Sequence, residues 1–173
     1  LTPNSSQVVF TSHIFLFAFL PLALLLYYLT PERGRAWTLT GVSYVFYGWW
    51  NPWFTLLMAG STLLDYACGK VISAEGASPR KRKGALILSI VTNLAVLAFF
   101  KYAIFIAGNI GVVAGWLGLE GVAAPAFLSQ VILPVGISFY TFQSMSYSID
   151  LYRGDARPAR SLIDFACYVS MFP

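Results

Sequence analysis

Between Arg35 and Asp65 the chain carries no charged residue. A single helix through Trp37–Gly69 would be about 50 Å long at 1.5 Å per residue, well beyond a hydrocarbon core of roughly 30 Å. The flanks show how such a segment is used. Arg33 and Arg35 precede it, while Lys70 and the run Arg80–Lys83 follow it. By the positive-inside rule both ends are expected in the cytoplasm, so the segment crosses an even number of times. Asn51-Pro52 is the place to turn, because proline lacks an amide donor and restricts the residue before it. Trp49, Trp50 and Trp53 cluster there, as indoles do at the far interface. The segment reads as two short or tilted passages, Trp37–Trp50 and Pro52–Gly69, or as a re-entrant hairpin.

The rest of the chain agrees with a membrane setting. Over 173 residues, 58% are hydrophobic and 10% charged, against about 25% charge in a soluble domain. That excludes an ordinary soluble enzyme, a disordered tail and a nucleic-acid module. The formal charge of +4 does not point to nucleic acid, because four of the eleven basic residues sit in Arg80–Lys83 between apolar segments. Cys68 and Cys167 have no CxxC spacing, so neither a disulfide scaffold nor a zinc site is indicated.

An apolar stretch from His13 to Thr30 precedes Arg33, which sets its C-terminal end in the cytoplasm; Pro21 is tolerated there as a kink. Val71–Gly84 reads as a polar cytoplasmic loop. Ala85–Ala107 is the clearest crossing. Gly108–Gln130, rich in glycine and without Lys or Arg, suits the outer side. Val131–Leu151 returns inward to Arg153, Arg157 and Arg160. The expected fold is all-α, a polytopic transmembrane bundle of about five passages with the N-terminus outside. Residues 1–7 read as an extension, and 8–173 as the membrane segment. Leu162–Phe172 is too short to span, so the sequence reads as a piece of a longer protein.

Several residues are candidates for chemistry. Lys101 reads as a cation snorkelling beside Tyr102 near the outer interface, or else as a functional charge within the membrane. Asp65 either pairs with Lys70 at the cytoplasmic end or faces a polar cavity. His13 stands at a helix end with no nucleophile or carboxylate nearby, so it is not a catalytic base. In the last passage, Tyr140, Gln143, Ser144, Tyr147 and Asp150 fall within about 120° of one another on a helix, with Phe142, Met145 and Ile149 opposite. Hydrocarbon offers such groups no partners, so the stripe faces protein or a wet cavity. It is helix–helix glue or the wall of a substrate path. Asp150 and Arg153 are spaced to pair at the helix end. Gly111–Gly115 is a GxxxG, but it falls where a loop is expected. Arg80–Lys83 orients the chain and can touch anionic lipid.

Val9–Phe17, Gly48-Trp49-Trp50-Asn51-Pro52, Ser61–Tyr66 and above all Leu133–Gly154, with its Pro-Val-Gly-Ile-Ser-Phe-Tyr-Thr-Phe-Gln run, resemble the N-terminal part of bacterial membrane-bound O-acyltransferases, the MBOAT family. The resemblance implies an enzyme of the bacterial inner membrane. It would pass an acetyl group from a cytoplasmic donor, acetyl-CoA, toward an exported alginate-like polysaccharide, with periplasmic partner proteins completing the transfer. The family's essential histidine belongs to a later segment, and this sequence has none after His13. No catalytic, cofactor-binding or metal residue is therefore carried over, and the segment by itself is expected to be inactive. From the residues alone, a transporter or channel fragment and a non-catalytic membrane scaffold stay open beside this reading.

Overall fold

The computed structural model of the chain describes residues 15–50, 52–116 and 136–170. Every regular element among them is helical. A π-helical turn, Phe15–Phe19, leads into α1 (Leu20–Leu29), and a 3-10 turn, Glu32–Gly34, leads into α2 (Arg35–Trp50). Then come α3 (Pro52–Ser73), α4 (Pro79–Trp116), α5 (Ile137–Arg153) and α6 (Leu162–Ser170). The all-α expectation holds. The proposed extension at 1–7, His13, Asn51 and residues 131–135 lie outside the described residues, as does the end of the Leu162–Phe172 stretch.

The helices form two compact units, one from the chain up to Lys70 together with Arg157 onward, the other Val71–Ala156. In the first unit α1 packs on α2 and α2 on α6. Phe19 and Phe46 join α1 to α2 with ring centroids 5.1 Å apart, and Tyr66 of α3 meets Phe165 of α6 at 6.2 Å. The corner after α1 is held by side chains: Thr30 Oγ1 donates to the Leu26 carbonyl at 2.6 Å and lies 3.0 Å from Thr38 Oγ1. In the second unit α4 packs along α5.

Two expectations are corrected here. The polar loop is far shorter than Val71–Gly84. Helix α3 runs on to Ser73 and α4 starts at Pro79, leaving a tight turn through Gly76 at φ +80. The reason is local. Ser78 is an N-cap whose Oγ accepts from the Lys81 amide at 3.4 Å, and proline suits the first helical position, where its missing donor costs nothing. Arg80–Lys83 thus form the first turn of a helix. The stretch Gly108–Gln130, expected at the outer side, begins as helix. Helix α4 continues past Ala107 to Trp116, so Gly111–Gly115 is helical. A helix satisfies its own backbone groups, and glycine, a breaker in water, is common in membrane helices.

At 38 residues α4 is about 57 Å long. Of the five passages expected, one helix among the described residues, Pro79–Ala103, is both long and apolar enough to cross a membrane by itself. Phe17–Leu29 is apolar but shorter.

Candidate polar seam and its flank

Helix α5 buries Ile137, Thr141, Ser144, Ser148 and Leu151. Their spacing alternates four and three, the 3.5-residue repeat by which one helix keeps a single seam against another. On α4 the same alternation runs through Arg82, Leu86, Ser89, Asn93, Val96, Phe100 and Ala103, none of which is exposed. The seams meet at Ser89 and Ser148, whose hydroxyls lie 2.9 Å apart with neither residue reached by solvent. Toward the start of α4 and the end of α5 the Arg82 guanidinium sits 5.9 Å from the Tyr152 ring centre. The helices are therefore antiparallel, and this register sets Asn93 level with Ser144 and Phe100 level with Ile137. Asn93 donates from Nδ2 to the Ser89 carbonyl at 3.0 Å. Small hydroxyl residues suit a membrane seam because they allow close backbone approach and can bond across it.

The predicted stripe sits to one side of this seam. Tyr140 and Ser144 are buried; Gln143, Tyr147 and Asp150 are half-buried. The centre of the seam lies roughly 80° round the helix from the centre of the stripe at 100° per residue. Of the five residues Ser144 thus belongs to the seam, Tyr140 is buried beside it, and the other three flank it. Phe139 and Phe142 are exposed, whereas Met145, expected opposite the stripe, is buried at 7%. Seam position decides that: Met145 follows Ser144 and fills the far shoulder of the contact. Ser148 and Thr141, the seam's centre, were not among the predicted site residues. Their signal is the alternating four-and-three spacing of small hydroxyl residues, matched by Ser89 and Asn93.

The ends of α5 are fixed by glycines. Gly136 (φ +77) precedes it and Gly154 (φ +87) closes it, the Gly154 amide donating to the carbonyls of Asp150 and Leu151 at 3.0 and 3.3 Å. The Asp155 amide adds a 2.9 Å bond to the Asp150 carbonyl. Backbone geometry thus ends the helix beside Asp150 and Arg153.

The first unit carries its own buried polar groups. Asp65 has no exposed surface, and Thr62 and Ser43 have 2% and 1%. Thr62 Oγ1 donates to the Met58 carbonyl at 2.7 Å and shares a side-chain hydrogen bond with Tyr44. Asp65 is thus completely covered by protein, and Lys70 lays its ammonium 5.3 Å from the Tyr66 ring centre. Lys101 is exposed, with its ammonium 5.9 Å from the Tyr102 ring centre, two residues before the end of the apolar stretch Pro79–Ala103. Among the described residues no three of His, Cys, Asp and Glu gather as a metal site requires.

Long apolar helices, a hydroxyl-lined helix seam and cations gathered mainly in turns and at helix ends define a segment of a helical membrane protein. Comparison with known proteins then narrows the class. The chain is 47% identical over 166 residues to the probable alginate O-acetylase AlgI of Pseudomonas aeruginosa, covering 96% of this chain and 31% of that protein. It is 45% identical over 166 residues to the protein of the same name from Azotobacter vinelandii, covering 96% of this chain and 32% of that protein. It is also 31% identical over 152 residues to a peptidoglycan O-acetyltransferase of Helicobacter pylori, covering 84% of this chain and 27% of that protein. No protein-family model and no solved structure matches it. The resemblance seen in the residues is borne out: over nearly its whole length the chain is similar to part of the O-acetylases of the AlgI kind. It spans about a third of the length of the curated relatives it matches.

Proposed function

We propose that the protein of which this chain is a segment transfers acetyl groups from cytoplasmic acetyl-CoA toward an exported, alginate-like polysaccharide. The observation that carries this is the 47% identity over 96% of the chain to an alginate O-acetylase. O-acetylation is common to the names of the relatives; the polymer differs, and alginate accompanies the higher identity. The chemistry requires a base or proton relay beside a thioester and a passage that keeps bulk water from it. The residues beyond this chain's share of the protein would supply that histidine. This segment contributes framework: the α4–α5 seam holds α5 in register, and Gln143, Tyr147 and Asp150 on its flank face the passage.

In this reading the chain makes five crossings of the bacterial inner membrane with its N-terminus outside, turning at Asn51-Pro52. Lipid surrounds it, and periplasmic proteins complete the transfer to the polymer. The segment expressed by itself transfers nothing, and it binds no cofactor of its own.

The test is complementation. In a strain lacking the gene, the full-length protein restores ester-linked acetyl to the exported polymer, read by proton NMR. Absence of acetyl at normal membrane expression refutes the activity. Tyr147→Phe and Gln143→Leu lower acetylation while Phe142→Leu, on an exposed face, does not. Equal acetylation in all three refutes the passage.

A further inference from the structure

We propose that the first turn of α4, with Tyr152 and Arg153 of α5 beside it, is a platform that binds the phosphate headgroups of anionic phospholipids in the cytoplasmic leaflet. The inference rests on α4 crossing the bilayer and is independent of acyl transfer.

Four consecutive cations on one helical turn repel one another. Arg80 and Lys83 are three apart, the spacing at which helical side chains meet. They also stand at a helix N-terminus, whose partial positive charge disfavours cations. No acidic residue lies in that turn to offset either effect. Such an accumulation is relieved when phosphate approaches it. Fixed geometry makes it a platform rather than a loose tail. Arg82 donates from Nε to the Ile72 carbonyl at 2.7 Å and lays its guanidinium on the Tyr152 ring at 5.9 Å. It thereby ties the turn to the end of α3 and to the end of α5. Arg80, Lys81 and Lys83 are left exposed, and Arg153, also exposed, follows Tyr152 in the chain. The apolar span continues from the same helix without a break. The cations are therefore held within about a turn of the hydrocarbon boundary, at headgroup depth.

The full-length protein in nanodiscs of mixed phosphatidylglycerol and phosphatidylcholine is the test, with the retained lipid counted by native mass spectrometry. Phosphatidylglycerol is expected to be enriched over its bulk share. Arg80→Gln and Lys83→Gln, which leave three of the four cations of the run to orient the chain, each lower the apparent affinity for it roughly five-fold. Lys83→Arg leaves it unchanged. Enrichment that survives both glutamine substitutions overturns the proposal. So does inorganic pyrophosphate binding equally to the protein in pure phosphatidylcholine and displacing phosphatidylglycerol elsewhere, since the turn would then serve a soluble phosphate.

Discussion

Two serine hydroxyls 2.9 Å apart, at Ser89 and Ser148, join α4 to α5, and what they contribute depends on their solvent. In lipid a hydroxyl deprived of its partner has no water to turn to, although it can bond back to a carbonyl of its own helix. Side-chain hydrogen bonds between membrane helices are accordingly worth only about 0.6 kcal/mol on average. Ser148→Ala should therefore destabilise the full-length protein by about 0.6 kcal/mol. The double variant Ser89→Ala/Ser148→Ala should cost less than the two single changes added, because neither hydroxyl is left orphaned. Ser148→Leu should cost more, about 1–3 kcal/mol, since no room exists at a fully buried seam position. Reversible unfolding in mixed micelles reads all three. A leucine variant as stable as wild type would show that the helices do not touch there.

At the scale of the element, the end of α5 is set by Gly154 at φ +87, with no atom within 4 Å of the place a Cβ would occupy. Any cost of a side chain there is conformational rather than steric. A left-handed backbone costs an alanine about 1–2 kcal/mol, so Gly154→Ala should lower stability by that amount and Gly154→Asn by less. Equal melting temperatures for the three would mean that the helix ends otherwise. The sequence made α5 itself legible, since a Pro-Val-Gly start, a Gly stop and Arg153 in the last turn bracket it. Its buried face was harder to read. Ranking residues by polarity selects Gln143, Tyr147 and Asp150, but a membrane seam is chosen by size, and Thr141, Ser144 and Ser148 are small. Ser144 satisfies both criteria, so it falls where the stripe and the seam overlap. The reach of α4 was obscured for a related reason. Gly108, Gly111 and Gly115 look like breakers by the rules of water-soluble chains, and the helix passes through them.

At the scale of the whole molecule, length and polarity disagree over whether α3 crosses the membrane. Its 22 residues extend about 33 Å, enough for a core of roughly 30 Å. Yet it carries Ser61, Thr62, Asp65 and Lys70, and it does not reach the apolarity of Pro79–Ala103. Burial resolves the conflict. Thr62 and Asp65 are covered by protein, so they need no lipid-compatible side chain, while Trp53, Leu56 and Leu63 on the outside are exposed and apolar. A charge facing protein does not incur the insertion penalty of about 2.5–3.5 kcal/mol that a lipid-facing one does. Helix α3 should therefore span, with its Pro52 end outside and its Ser73 end in the cytoplasm beside the cations that follow. Single cysteines at Asn51 and at Glu75, in full-length protein with Cys68 and Cys167 replaced by serine, test this. The cysteine at 51 should react with an impermeant maleimide in intact spheroplasts. The one at 75, in the exposed turn before α4, should react only after lysis. Labelling of both only after lysis would make Asn51-Pro52 the tip of a re-entrant hairpin that never reaches the far side, and would remove two of the five crossings.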